Sequence, residues 1–187
     1  WLLEGGQTLV VGGQQRNLLI YDLRSSAAPL TTYAHSFGVH GIEVDPNNSW
    51  NFATFSRAHG ETVKLWDVRR MDSATAMSEI KIAGDSVTAS AAVSSVKWSN
   101  SGELSILVGD AVHEYDVSSS RPTLSSTVYT RKQIVDFAHF PNQKLLPLEE
   151  SSHDYEKKQI FAEVLSKRLI VVEKDQTISD ISAHRCA

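Results

Sequence analysis

Apolar and polar residues alternate along this chain in short runs, with no sustained helical spacing. Three runs share one pattern: Asn17-Leu18-Leu19-Ile20-Tyr21-Asp22-Leu23-Arg24, Thr62-Val63-Lys64-Leu65-Trp66-Asp67-Val68-Arg69 and Ala111-Val112-His113-Glu114-Tyr115-Asp116-Val117-Ser118. Each ends in aromatic-Asp-apolar, and the aromatic residues lie 45 and 49 positions apart. A second pattern falls between them. Val39-His40-Gly41-Ile42-Glu43-Val44-Asp45-Pro46 alternates and ends in a turn, and Val93 to Gly102 does the same. Ile134 to Asn142 is a looser copy. Period-two alternation punctuated by Pro, Asn and Gly predicts short strands joined by hairpins. Recurrence at this interval predicts a repeated sheet unit.

The complete units are expected at 39–45, 51–57, 62–69 and 78–83, and at 93–99, 104–109, 111–118 and 123–130. Before them, 8–12, 17–24 and 28–34 form a unit without its innermost strand. After them, 133–140 opens a unit whose other strands are expected at 160–166, 168–173 and 176–182. Residues 141–159 interrupt it with two prolines, four acids and a Ser-Ser pair. Such a composition reads as a surface loop. The rival is a helix over 153–166, where Tyr155, Phe161, Val164 and Leu165 can share a face.

Composition narrows the function more than the fold. The 187 residues are 41% hydrophobic and 21% charged, ordinary for a globular protein. With 18 Lys+Arg against 22 Asp+Glu the formal net charge is -4, which argues against nucleic-acid binding. No apolar run approaches the ~18 residues of a membrane span. Cys186 is the one cysteine, so neither an internal disulfide nor a cysteine-based zinc site can form. The first residue is Trp1 and no signal-peptide pattern follows, so an internal piece of a longer protein is expected.

Leu65-Trp66-Asp67, with the turn-strand-turn pattern before it, resembles a WD40 repeat, the blade of a β-propeller. The resemblance implies an all-β fold: a partial WD40-type β-propeller of about four four-stranded antiparallel blades, the first incomplete, cut from a larger ring. One domain over 1–187 is expected, with blades at about 8–34, 39–83, 93–130 and 133–182. Tyr21-Asp22, Trp66-Asp67 and Tyr115-Asp116 take the structural motif position. The match is degenerate. The tight-turn Asp of a typical repeat is replaced by Gln15, Gly60 and Gly109, and the opening Gly-His survives only as Ala34-His35. The His–Ser/Thr–Trp hydrogen-bond relay is expected once, through His35, Thr54 or Ser56, and Trp66.

Arg16 to Arg24, Gly41 to Pro46 and Val63 to Arg69, in that order and spacing, resemble the N-terminal propeller of the Mios (missing oocyte) family. In fungi this is a Sea-family subunit of the vacuolar SEA complex. The resemblance implies a non-catalytic scaffold of the GATOR/SEA assembly, relaying amino-acid sufficiency to TOR kinase. Its expected place is the cytoplasm, at the lysosomal or vacuolar surface through complex partners. The family continues into an α-solenoid and a zinc-binding RING-type end, neither of which lies in this sequence. The alternative rests on Arg24, Arg69 and Arg70. Aromatic-Asp-x-Arg resembles the box by which some propellers dock the adaptor of a cullin-4 ubiquitin ligase, which implies a substrate receptor. The plain reading is a strand-end arginine in a solvated ion pair worth ~0–1 kcal/mol.

Catalytic signatures are missing. The sequence has no G-x-S-x-G, no G-x-x-x-x-G-K-[ST], no G-x-G-x-x-G and no H-E-x-x-H. His35 and His40 flank Gly38 without a carboxylate to complete a metal set. Asp110, Glu114 and Asp136 read as solvated carboxylates, and Cys186 beside His184 is too weak a pair for a nucleophile. No enzyme activity, cofactor, metal or small-molecule substrate is expected. The partners expected are protein subunits, without nucleic acid or membrane insertion.

Overall fold

The computed structural model describes residues 2–3, 6–58, 62–73, 75–82, 92–99, 102–129, 134–139, 168–173 and 178–182. Its strands form four antiparallel sheets, here I to IV. Sheet I holds β1 (Leu2–Leu3), β2 (Thr8–Val11), β3 (Asn17–Asp22) and β4 (Leu30–Tyr33). Sheet II holds β5 (Gly41–Val44), β6 (Asn51–Phe55), β7 (Val63–Asp67) and β8 (Ser78–Ile80). Sheet III holds β9 (Val93–Trp98), β10 (Glu103–Val108), β11 (Ala111–Asp116) and β12 (Thr123–Tyr129). Sheet IV holds β13 (Ile134–His139), β14 (Arg168–Glu173) and β15 (Ile178–Ser182). Every sheet is a meander in which sequence neighbours pair, and within sheets I to III this keeps the connections short. Gly109, at φ 64, makes the tight reversal between β10 and β11, a backbone state that a side chain disfavours.

The alternation in β6 and β7 explains how the sheets stack. Side chains on a strand point alternately to its two faces. Phe52 and Trp66 turn toward sheet I, where they meet Val10, Leu18 and Ile20. Ala53, Phe55, Val63 and Leu65 turn toward sheet III, where they meet Val96, Leu104 and Ile106. Sheet II is therefore apolar on both faces and forms part of two cores. Burying each large aliphatic or aromatic side chain contributes about 1.5–3 kcal/mol. Gly41 belongs to the second core by omission, since a Cβ there would run into the Phe55 ring.

Three expectations are corrected. The first unit does not lack its inner strand, because Leu2 and Leu3 pair with Leu9 and Thr8. Two residues are too few to display an alternation, so the backbone pairing left no pattern to read. In sheet IV, 168–173 is the second strand and not the third: β14 pairs directly with β13, with His139 opposite Leu169 and Ile134 opposite Glu173. Antiparallel pairing needs only that the two strand edges meet, and β13 meets β14 with no strand between them. The strand expected at 160–166, the loop at 141–159 and the rival helix at 153–166 lie outside the described residues. The second run also ends sooner than expected. Sheet II's β7 stops at Asp67, and Val68–Ser73 turns as a 3-10 helix.

Sheet I has one face against sheet II, and its other face carries Leu9, Val11, Leu19 and Tyr21, with Leu9 opposite Tyr21 and Val11 opposite Leu19. Val11 is 39% exposed. An apolar sheet face of this kind is an aggregation liability. Residues 1–187 expressed alone are expected to associate on size-exclusion chromatography and to melt without cooperativity. A monodisperse monomer with a cooperative melt at micromolar concentration contradicts this.

Candidate functional site

The buried polar centre lies between sheets I and II. β7 carries Trp66, and β6 carries Thr54 two pairs further along the ladder, on the same face. The Trp66 indole N–H donates to Thr54 Oγ1 at 2.9 Å, and His35 Nε2 lies 2.9 Å from the same oxygen. In the tautomer with its proton on Nδ1, His35 accepts the Thr54 hydroxyl proton at Nε2, and the Thr54 oxygen accepts from Trp66. His35 and Thr54 are fully buried and Trp66 is 1% exposed. Phe52 stacks on Trp66 with centroids 6.3 Å apart. Of the two hydroxyls proposed for the relay, the structure brings Thr54 to the indole. Ser56 instead accepts the Ala58 backbone N–H at 3.4 Å.

The three aromatic-Asp motifs end at one level of the sheets. Each Asp accepts the backbone N–H two residues on, with Arg24, Arg69 and Ser118 as donors at 3.0, 3.0 and 2.9 Å. In sheets I and II the side chain follows the backbone. Arg24 Nε and Nη2 donate to the two oxygens of Asp22 at 2.9 and 3.0 Å, and its Nη1 donates to Gln7 at 2.9 Å. Arg69 Nε and Nη2 fork Asp67 at 2.9 and 2.7 Å, and its guanidinium lies 5.3 Å from the centre of the Trp50 ring. These forks hold the Asp22 and Asp67 carboxyls below the ordinary value of 3.8. The Asp67 fork raises Arg69 in turn. Hydrogen bonds from the Ser118 side chain and then its backbone N–H lower Asp116.

Two clefts open on this rim. Arg24, Arg69, Trp50 and Leu30 line one between sheets I and II, with a volume of about 500 Å³. The structure thus brings two of the sequence-predicted arginines into one cleft, and leaves Arg70 out of its lining. A second cleft of about 560 Å³ lies between sheets II and III, lined by Asp45, Met77, Trp98, Glu103 and Asp116 among others. Trp98 donates its indole N–H to the Glu43 carbonyl at 3.1 Å, and Lys97 pairs with the Glu43 carboxylate at 2.8 Å. Sequence reading missed Trp50, which lies outside the repeated motif, and the second cleft, which forms only where Asp116 meets residues of other segments such as Asp45 and Met77. The one signal of Trp50 was a tryptophan beside a turn, which many strands share.

The other singled-out residues do not converge. His35 is buried in the relay, whereas His40 is exposed, with Nδ1 2.9 Å from the Gly38 carbonyl and 3.1 Å from the Arg57 N–H. Glu114 accepts the Ser126 hydroxyl at 2.6 Å, apart from Asp110 in the hairpin turn. His113 contacts Thr127 Oγ1 at 3.0 Å, and burial pushes its pKa below the usual 6.5. Among the described residues no three His, Cys, Asp or Glu cluster as a metal set. Cys186, His184 and the Asp136 side chain lie outside what the structure describes.

No family model matches the chain. It is 31% identical over 72 residues to the GATOR2 complex protein MIOS of Danio rerio, and 33% identical over 72 residues to that of Dictyostelium discoideum. Each match takes in 38% of this chain but only 8% and 6% of the two relatives. Among solved structures, a chain of the crystal structure of a mitotic checkpoint complex superposes with a TM-score of 0.65 at 17% identity. That match covers 96% of this chain and 46% of the other, and shows the fold alone. The chain is a partial WD40-type β-propeller that resembles Mios.

Three outcomes test this geometry in the full-length protein. Trp66→Ala should cost about 3–5 kcal/mol, as large core truncations do. Thr54→Val keeps the shape but leaves the indole without its acceptor, at about 1–3 kcal/mol, and shifts the Trp66 indole proton signal. Ser56→Ala should leave that signal in place. The third outcome concerns acid. Asp67 titrates lower folded than unfolded, so the unfolded chain binds more protons as pH falls. Its contribution is full above about pH 4 and is lost as pH drops through the depressed value. The urea midpoint of Asp67→Asn should fall below wild type at about pH 7 and approach it near pH 2. A gap that widens on acidification contradicts the pairing.

Proposed function

We propose that this chain is the propeller portion of a non-catalytic protein-interaction scaffold of the GATOR2 type. In that role it serves amino-acid signalling to TOR kinase, at the lysosomal or vacuolar surface through its partners. The observation that carries the reading is the 31–33% identity to two MIOS proteins, on a fold whose sheet II is buried on both faces. A stack fixed from both sides keeps its rim loops in place without needing to move, which suits docking. No helix among the described residues is long and apolar enough to cross a membrane.

Arg24 and Arg69 form one docking edge in this reading. Their carboxylates orient both guanidinium groups in advance, and the two side chains remain 58% and 54% exposed. Pre-ordering removes part of the entropy that a flexible arginine loses on binding. The ubiquitin-ligase receptor is not favoured, because the sequence similarity over 72 residues is to MIOS proteins.

Affinity purification of the full-length protein tests the reading. The expected companions are the other subunits of a GATOR2-type complex. Arg24→Ala/Arg69→Ala should leave the melting temperature nearly unchanged and lose at least one of them. A cullin adaptor in place of those subunits contradicts the scaffold. Retention of every companion by the double variant removes the two arginines from the docking edge.

A further inference from the structure

The aromatic-Asp motif occurs three times, and only twice does the chain complete it with arginine. In sheet III the position two residues on is Ser118, whose bonds to Asp116 leave the negative charge in place. The ladder sharpens the difference. The residue opposite the motif Asp is Thr8 in sheet I and Asn51 in sheet II, but Glu103 in sheet III. Like charges directly opposite each other destabilise a strand pair. Both acids line the groove between sheets II and III, and Asp45, 9% exposed, lines it as well. Apolar side chains, including Trp98 and Met77, form much of the remaining wall. No lysine or arginine is among the described residues that line it.

We propose that this groove is a docking site for an arginine-bearing segment of a partner protein, whose guanidinium completes in trans the fork that Ser118 leaves without an arginine. Charge complementarity selects a cation. The chain's own geometry selects arginine over lysine, since Arg69 forks Asp67 while lying over Trp50. A planar guanidinium can grip the Asp116 carboxylate with two donors and stack on an indole, which an ammonium cannot do. A volume of about 560 Å³ accommodates such a side chain with its flanking residues. The existence of a partner rests on the scaffold reading, but the chemistry of the groove does not.

The probe is a fluorescent pentapeptide, acetyl-Gly-Leu-Arg-Leu-Gly-amide, titrated into the full-length protein beside its citrulline twin. Citrulline keeps the size and loses the charge. The arginine peptide should bind at least about 10-fold more tightly than the twin, as a charge-assisted bidentate contact requires. Ser118→Arg closes the fork within the chain and should weaken the peptide by about 10-fold at unchanged melting temperature. Asp116→Asn, at an exposed position, should weaken it similarly and serves should Ser118→Arg fold poorly. Equal affinity for the two peptides, no saturable binding, or undiminished binding by both variants overturns the proposal. Loss of GATOR2-type companions with the citrulline difference intact would refute the scaffold reading alone.

Discussion

A tryptophan buried between two sheets brings a polar N–H into a place without water. Left unpaired, that group would cost about 1–3 kcal/mol. Thr54 answers it from the neighbouring strand, and His35, just beyond β4, reaches the same oxygen from sheet I. Three side chains from β6, β7 and the link between the first two sheets thus meet at one atom. Apolar packing alone would tolerate some sliding of sheet I on sheet II, because hydrophobic contact has no direction. A hydrogen-bonded triad does not. It sets the distance and register of the two sheets, and with them the cleft where Arg24 and Arg69 meet.

The sequence disclosed those parts of the fold that the period of two can encode. The runs ending at Asp22, Asp67 and Asp116 became β3, β7 and β11, each the third strand of its sheet. His35 and Trp66 were legible because the relay needs particular chemistry at particular spacing. The choice between Thr54 and Ser56 was not, since both point toward sheet I and only the ladder shows which faces the indole. The inner strand at Leu2–Leu3 was too short to carry a pattern. In sheet IV the direct pairing of β13 with β14 depends on tertiary contact rather than on anything local to 160–173. The rim clefts depend on which turns come together, and no single segment records that.

The same motif acts differently in successive sheets because one residue changes beside it. Arg24 and Arg69 neutralise their carboxylates and keep the first cleft near charge balance. Ser118 leaves the second cleft acidic, although it bonds Asp116 through the same backbone turn. A repeated scaffold can vary its surface in this way without disturbing its core, since the motif Asp is fixed by the backbone N–H in all three sheets. In the proposed reading recognition lies in the residue two positions on, while the aromatic residue before it is buried in the core in sheets II and III.

Hydrogen exchange of the full-length protein, read at the Trp66 indole and along β6 and β7, tests most directly whether a rigid, doubly buried sheet II supports an adaptable rim. Sites that open only with global unfolding exchange most slowly. The account predicts that the Trp66 indole N–H and the amides of Thr54 and Leu65 are among the slowest in the molecule, while those of Ser25 and Ser118 exchange far faster. A Trp66 indole that exchanges as quickly as the rim would contradict it, because the two sheets would then part without unfolding.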